Sequence, residues 1–273
     1  MLRPPTSLAL LALLCGCAQA PTPGAFAFGV LGDTPYSSAE VERLERLIDD
    51  MNAERLAFVV HVGDIGQGAQ ACTDAWLEAR KKQLAQLKFP VVMIPGDNEW
   101  TDCRDAAPRL AAWRRLFCEA PLRVERQAGE YCEHRRWEAA GFLFVTLNVP
   151  GSNNNLRRNP AESARRMPSV LAWLDESAAL AQKRELGLVV MMQADPFITL
   201  PHDGYAALRE RLETLAKRRP WKVVLVHGDT HLYHDDEPMP GLRRLEVWGS
   251  PVVSWVRGEV LAGELRFSAP RNR

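Results

Sequence analysis

Four aspartates share one local pattern, in which a short apolar run ends in Gly-Asp. They are Asp33, Asp64, Asp97 and Asp229, and the run before each of them is rich in β-branched residues, which predicts a buried strand. Because parallel strands present their carboxyl ends at one edge of a sheet, we expect the four carboxylates to gather there. Like charges so gathered repel unless a proton or a cation separates them. The pattern therefore favours a site for a polyvalent metal ion.

Helical segments alternate with these strands in the first half of the chain. A helix over 39–48 is capped by Ser37 or Ser38, and further helices are predicted from about 73 to 87 and around 107–117. The first strand is expected to run to Asp33. This β-α-β-α order implies parallel strands with right-handed crossovers.

The regular alternation of strands and helices ends after the third strand. Residues 130–138 and 142–148 resemble neighbouring strands of an antiparallel insertion or of a second sheet, and 151–160 is a polar loop. A helix near 170–183, the strand 188–192 that ends at Gln193, and a helix over about 205–218 follow. From residue 242 onward, short strands at 245–248, 252–256 and 260–267 predict a β meander that closes a second sheet. We expect residues 25–273 to form one α/β sandwich.

Composition excludes few functions. The chain has 273 residues, of which 47% are hydrophobic and 25% charged, which is typical of a globular protein with one sizeable core. Basic and acidic side chains balance at 34 each, and no basic stripe with interleaved aromatics is present. Nucleic acid is therefore not an expected partner.

The first 24 residues are predicted to be an export signal and linker. Arg3 precedes an apolar run over 8–14 that is too short to span a membrane. The following Leu-Cys-Gly-Cys resembles a bacterial lipobox in which Cys17 would be lipidated, attaching the chain to a membrane. Residues 18–20 offer an ordinary cleavage site instead, although Pro21 would hinder it. Either route predicts a chain exported to the bacterial periplasm or envelope.

Four cysteines are left after the two in the signal. An even number in an oxidising compartment predicts two disulfides, and four cysteines allow three pairings, between which the sequence does not choose. Cys72 and Cys103 both follow Gly-Asp strand ends, which favours their pairing and that of Cys118 with Cys132. Zinc binding by these residues is not favoured, since the chain has no Cys-x-x-Cys pair.

Five segments, in this order, resemble the motifs of the calcineurin-like metallophosphoesterases. They are Gly-Asp-Thr-Pro at 32–35, Gly-Asp-Ile at 63–65, Gly-Asp-Asn-Glu at 96–99, Val-Val-Met-Met-Gln at 189–193 and His-Gly-Asp-Thr-His at 227–231. The resemblance covers the whole mature chain. It implies a two-sheet αββα sandwich with mixed parallel and antiparallel strands, in which two metal ions activate a water.

The resemblance also implies a ligand set. Asp33, Asp64 and His231 would hold the first metal, and Asp64 would bridge to the second. The second metal would be held by Asp64, Asp97, Gln193 and Asp229. Asp64 and His231 would thus be catalytic together with Asn98.

Several positions depart from the family pattern. Pro35, Asn98 and Gln193 stand where histidines are expected, Asp229 also replaces a histidine, and Asp97 replaces an asparagine. Oxygen ligands suit Mg²⁺ or Mn²⁺, and also Ca²⁺, better than Zn²⁺. Pro35 cannot coordinate through its side chain, which leaves the first position one ligand short. We therefore expect one or two divalent cations per chain.

Proton transfer and substrate binding need other groups. Asn98 cannot transfer a proton but can hydrogen-bond to a phosphate oxygen. His227 and His234 are close in sequence to the last motif, and each is either a proton donor or a structural histidine. Arg104, Arg157 and Arg158 could bind a small phosphorylated substrate, since guanidinium groups suit phosphate, or they could line a solvated loop.

Three functions are compatible with these residues. The first is an exported metal-dependent hydrolase of a phosphate mono- or diester. The second is a non-catalytic envelope lipoprotein that keeps the fold as a binding or structural module. The third is a serine-type esterase resembling the GDSL hydrolases, because Gly32-Asp33-Thr34 is similar to their first block. Thr34 stands in place of its serine, and Asp229-Thr230-His231 has the wrong spacing for its Asp-x-x-His.

Overall fold

The computed structural model describes residues 26–119, 122–218 and 222–269, so the predicted signal and Cys17 lie outside the described residues. The strands and helices occur in the following order: β1 Phe26–Leu31, α1 Ser38–Asn52, β2 Val59–His61, α2 Gly68–Ala71, α3 Asp74–Leu84, β3 Val91–Met93, α4 Ala106–Phe117, β4 Glu125–Arg126, β5 Arg135–Ala139, β6 Phe142–Thr146, α5 Gly151–Asn154, α6 Pro160–Lys183, β7 Gly187–Met191, α7 Ala206–Arg218, β8 Val223–His227, β9 His234–Met239, β10 Leu242–Glu246, β11 Val256–Leu261 and β12 Glu264–Ser268.

The strands form two mixed sheets. One has the order β12-β11-β1-β2-β3, and β1, β2 and β3 are parallel. The other has the order β4-β5-β6-β7-β8-β10-β9, with a parallel centre from β6 to β10. The expected α/β fold with two mixed sheets is confirmed.

Three apolar layers hold the sheets and helices together. The central layer lies between the sheets, where the rings of Phe28, Phe58 and Phe144 lie 5.2 Å from one another. A second layer packs α1, α3 and α4 on the first sheet, and a third packs α6 and α7 on the second sheet. Because both faces of each sheet are covered, the central strands are apolar along their whole length. The helix-sheet-sheet-helix order is that of the predicted αββα sandwich.

The C-terminal strands correct one prediction. Residues 245–267 do not form a meander in the second sheet, since β10 pairs with β8 there while β11 and β12 join the first sheet beside β1. Alternate residues of β11 are buried, so this strand covers the core with one face, and β12 beside it forms the edge of the first sheet. Residues 252–255 form a loop rather than a strand.

The long helix α6 begins ten residues before the predicted start. Asn159 caps it by accepting a hydrogen bond from the Glu162 backbone N–H at 3.1 Å, and Pro160 occupies its first turn. The buried face of its first turns includes Ser163 and Arg166, both polar. Apolar periodicity therefore did not reveal this part of the helix.

Both expected disulfides are present. Cys72–Cys103 joins the loop after β2 to the loop after β3, and Cys118–Cys132 joins the end of α4 to the segment before β5. The first bond ties together the two loops that carry Asp64 and Asn98. No helix in the described ranges is both long and apolar enough to cross a bilayer.

Candidate metal centre

The four Gly-Asp aspartates come from both sheets and meet at one edge of the sandwich. Asp33, Asp64 and Asp229 have positive φ angles of 49°, 56° and 87°. Aspartate tolerates this left-handed conformation better than most residues, so each chain turns sharply off its strand at the carboxylate itself. Among the glycines that precede these aspartates, Gly63 also has a positive φ, of 121°.

Two of the preceding glycines, Gly96 and Gly228, leave room for carboxylates from other strands. A Cβ atom on Gly96 would overlap Oδ1 of Asp64, and one on Gly228 would overlap Oδ2 of Asp33. Each of these Gly-Asp pairs therefore supplies one carboxylate and the space for another. At the other two dipeptides the Cβ atom would meet different groups, Val62 at Gly32 and Gln193 at Gly63.

The cluster has two sides, and Asp64 lies between them. The first side consists of Asp33, His231 and Tyr36. The His231 Nδ1–H donates to the Ser250 carbonyl at 2.7 Å, which leaves Nε2 with a free lone pair 4.0 Å from Asp33 Oδ1. Both oxygens of Asp33 accept from the Asp229 backbone N–H, at 3.1 and 3.2 Å.

Tyr36 completes the first side. Its hydroxyl donates to Asp64 Oδ2 at 3.0 Å and accepts from the Asn98 side-chain amide at 3.0 Å, while its ring lies edge-on to His231. The start of α1 positions it, since the Glu40 carboxylate accepts from the Tyr36 backbone N–H at 2.8 Å. The sequence motifs did not point to Tyr36. The signal was its place three residues after Asp33, in the turn that carries Pro35.

The second side consists of Asp97, Asp229 and Gln193, and hydrogen-bond donors surround it. Ser152 Oγ donates to Asp97 Oδ2 at 2.7 Å, and the Asp195 backbone N–H donates to Asp229 Oδ2 at 2.9 Å. The Gln193 amide nitrogen is 3.4 Å from Oδ1 of Asp229 and 3.4 Å from Oδ2 of Asp64. We had predicted Gln193 to offer its oxygen here. It presents its nitrogen instead, because the oxygen accepts from the Gly151 backbone N–H at 2.5 Å.

Burial and mutual repulsion disfavour the ionised form of these carboxylates. Burial first, and then the charge of Asp229, raises the pKa of Asp33 well above its ordinary value. Burial and Asp97 do the same to the pKa of Asp64, and they raise the pKa of Asp229 to about 7. Burial also raises the pKa of Asp97. Protons or a cation must therefore accompany this cluster at neutral pH.

Glu99 is a further buried carboxylate, beyond the residues predicted for the site. It accepts hydrogen bonds from the backbone N–H groups of Ile65 and Gly96, so it fixes the loops that follow Asp64 and precede Asp97. Burial raises its pKa to about 7. Its contacts make it a positioning residue for the two aspartates.

The residue types of the first side fit a divalent cation. Asp33 and His231 place an oxygen and a nitrogen 4.0 Å apart, a span that one ion with bonds of about 2.1 Å can join. Asp64 supplies a further carboxylate oxygen. In the described ranges no three Asp, Glu, His or Cys atoms of the cluster lie within 4.8 Å of one another, so a cation would draw the side chains together. The second side fits less well, because Gln193 presents a hydrogen-bond donor.

Within the described part of the chain, a different group of potential ligands does have this close spacing. Atoms of Cys118, Cys132 and Glu133 lie within 4.8 Å of one another. The two sulfurs are joined in a disulfide, and Glu133 accepts two hydrogen bonds from Arg114 at 2.7 and 3.0 Å. This group is therefore structural.

A cavity of about 320 Å³ opens beside Asp229. Its walls are formed by Ser152, Asn153, Arg157, Arg158, Ile198, Leu200, Tyr205 and Asp229. Two of the three predicted substrate-binding arginines thus line it. Arg158 lies 3.6 Å from the Asp102 carboxylate, whereas Arg157 is exposed and makes no hydrogen bond or ion pair within the described ranges. Arg104 is exposed and does not line this cavity.

The two candidate proton donors bond within the second sheet. His227 is buried and its Nδ1–H donates to the Gly228 carbonyl at 2.8 Å, and burial lowers its pKa. His234 Nδ1 lies 2.8 Å from the Glu246 carboxylate. These contacts favour the structural interpretation of both histidines.

Comparison with known proteins defines the family. The sequence model of the calcineurin-like phosphoesterases matches residues 26–233, and the chain belongs to that family. This membership excludes the GDSL alternative, and the family's use of divalent metal ions agrees with the acidic cluster. No curated protein sequence matches the chain.

Solved structures share the fold at low sequence identity. A dimetal phosphatase from Danio rerio superposes with a TM-score of 0.64 at 14% identity, covering 89% of this chain and 95% of that one. A 5'-nucleotidase precursor from Thermus thermophilus superposes with a TM-score of 0.52 at 15% identity, and a purple acid phosphatase from yellow lupin with 0.51 at 12%. Each of these two comparisons covers 90% of this chain, which spans 54% and 51% of their lengths.

Proposed function

We propose that this chain is an exported, metal-dependent phosphoesterase that hydrolyses a small phosphate mono- or diester. The observation that carries the proposal is the meeting of three buried carboxylates, those of Asp33, Asp64 and Asp97, with half-buried Asp229 and with His231 at one edge of the sandwich, where the pKa of Asp229 is raised to about 7. Such a cluster is stable at neutral pH only with compensating positive charge. The family and the fold of the dimetal phosphatase support the same reaction class.

Each residue then has a definable task. Asp33, Asp64 and His231 hold a divalent cation, and Mg²⁺ or Mn²⁺ suits the carboxylates best. When bound, such an ion lowers the pKa of a water and neutralises charge on the phosphoryl oxygens. Asn98 donates one N–H of its side-chain amide to Tyr36. The second N–H of this NH₂ group remains available for a phosphate oxygen.

The cavity beside Asp229 would hold the alcohol side of the ester. Ile198 and Leu200 supply an apolar wall, and Arg157 has a guanidinium group without a partner in the described ranges. Arg157 could bind a second anionic group or a phosphate oxygen. We assign Arg158 a lesser role, since it already hydrogen-bonds to the Asp102 carbonyl at 2.9 Å.

Phosphate release from an aryl phosphate tests the proposal. We expect the purified chain to release phosphate with added Mn²⁺ or Mg²⁺, and both Asp64→Ala and Asp64→Asn to abolish the release. Asparagine tolerates the positive φ at this position, so the second variant removes charge without backbone strain. The exposed Asp50→Asn is the matched control and should keep full activity. Circular dichroism would check that all variants fold.

A non-catalytic binding or structural module is the second candidate. The observation that favours it is that Tyr36, Ser152 and Gln193 already donate hydrogen bonds into the carboxylate cluster. One bound cation without turnover on phosphate mono- and diesters would support this candidate and contradict the enzyme.

A further inference from the structure

Gln193 is fixed with its amide nitrogen pointing into the acidic cluster. The side chain is fully buried at the end of β7. Its oxygen accepts from the Gly151 N–H at 2.5 Å, and its nitrogen is 3.4 Å from carboxylate oxygens of both Asp64 and Asp229. The amide therefore donates to two of the aspartates that would hold the second metal of the family.

Turning this amide over would disrupt both sets of contacts. The NH₂ group would face the Gly151 N–H, and the oxygen would face two carboxylates. A buried N–H left without an acceptor is strongly unfavourable. The hydrogen-bond pattern thus selects one orientation of Gln193, and that orientation offers no ligand atom to a cation.

The Gly151 backbone has little room to move away from the Gln193 side chain. A Cβ atom at this position would lie 2.5 Å from Asp229 Oδ1 and 2.9 Å from Asp97 Oδ1, so the backbone is pressed against the second side. The turn that follows is left-handed, with φ of 50° at Ser152 and 57° at Asn153. Surrounding contacts must hold so strained a segment in place.

Those contacts come from buried residues. The Arg166 guanidinium is fully buried and donates at 2.8 Å to both the Asn148 carbonyl and the Asn154 side-chain oxygen. The Tyr205 hydroxyl accepts from the Asn154 N–H at 3.1 Å and donates to the Pro150 carbonyl at 3.1 Å. The turn is therefore a rigid support for the Gly151 N–H and for the Ser152 hydroxyl.

We propose that the cluster binds a single divalent cation, at Asp33, Asp64 and His231, and that the Gln193 amide replaces the second cation of the family. Neutral donors already serve the second side: the Gln193 NH₂, the Ser152 hydroxyl and the Asp195 N–H. On the first side the His231 Nε2 lone pair remains open. The inference rests on the proposed metal dependence, but not on catalytic turnover.

Manganese binding to the full chain tests this stoichiometry. Chelator-treated protein is titrated with Mn²⁺, and bound metal is counted by elemental analysis and by electron paramagnetic resonance. We expect one Mn²⁺ per wild-type chain with an uncoupled six-line spectrum. Two ions with a spin-coupled spectrum, or no bound ion, would overturn the proposal.

Gln193→Glu gives the decisive variant. Glutamate has the same shape, so one oxygen keeps the Gly151 N–H while the other puts a carboxylate where the amide nitrogen was. We expect a second Mn²⁺ and a spin-coupled spectrum. The exposed Gln70→Glu adds the same charge elsewhere and should remain at one ion. A Gln193→Glu protein that folds and still binds one ion would refute the role of Gln193.

Two safeguards keep the result interpretable. If Gln193→Glu does not fold, the wild-type count alone decides between one ion and two. Phosphate release is measured on the same samples. One bound ion without turnover would contradict the proposed hydrolase and support the single-cation proposal. Two bound ions with turnover would support the hydrolase and contradict the single-cation proposal.

Discussion

The two sides of the acidic cluster differ in how they compensate negative charge. On the first side, His231 presents a lone pair that the Ser250 carbonyl orients, and Asp33 is fully buried beside it. On the second side, Ser152 and the Gln193 amide donate hydrogen bonds to Asp97 and Asp229. Carboxylates on both sides accept hydrogen bonds from neutral donors, but only the first side has an imidazole nitrogen that can also bind a metal ion. The proposed role of Gln193 would convert half of a metal centre into a hydrogen-bond network.

The largest expected effect is a loss of stability of the metal-free protein as pH rises. The folded pKa values of Asp229 and Glu99 are raised to about 7, above their unfolded values. Their contribution is therefore complete below about pH 4 and is lost as pH rises through about 7. Since one pKa unit corresponds to about 1.4 kcal/mol, several kcal/mol should disappear. Urea unfolding in chelator between pH 4.5 and 8 would measure this.

The variant Asp229→Asn, measured in the same urea-unfolding experiment, distinguishes the contribution of the second side from that of the first. The variant should lose less stability across the same pH range, because one second-side carboxylate is gone. Stabilisation by Mn²⁺ at pH 8 should persist, since the first side holds the ion. A variant that loses the Mn²⁺ effect would contradict the division of the cluster.

The next largest effect concerns cation affinity. His231→Asn should weaken Mn²⁺ binding on the order of 100-fold, because substitutions that only orient a ligand already cost about 10–100-fold. Asparagine tolerates the φ of 66° at this position. Asp97→Asn should change the affinity by only a few-fold. Calorimetric titration of both variants measures the difference, and equal losses would show that both sides bind the ion.

Two glycines give the smallest effect. Gly228→Ala puts a methyl group against Asp33 Oδ2, and Gly151→Ala puts one 2.5 Å from Asp229 Oδ1. Each should lower the free energy of unfolding by about 1–3 kcal/mol, as overpacking does. Only Gly228→Ala should also weaken Mn²⁺ binding, because only it displaces a first-side ligand. Weaker Mn²⁺ binding by the Gly151→Ala variant would show that the second side also binds the cation.

Most of the fold was predictable from the residues. The β-branched runs before Asp33, Asp64, Asp97 and Asp229 are buried strands, and Ser37 caps the first helix as expected. The start of α6 was missed because a buried arginine, Arg166, replaces an apolar side chain on its inner face. The place of β11 was missed because a strand's pattern does not state which sheet it joins.

The sequence by itself determined that Asp33, Asp64 and Asp97 would meet at one sheet edge, because a parallel sheet brings its strand ends together. Asp229 follows β8 of the second sheet and joins them only through the packing of the two sheets. Only the tertiary structure decided what each of them contacts. Gln193 contains both an acceptor and a donor, and the choice depends on Gly151, which lies 42 residues away in the chain. Tyr36 likewise reaches Asp64 across 28 residues. Hydrogen-bond partners so distant in sequence are set by packing, and they determine which half of the cluster remains open to a cation.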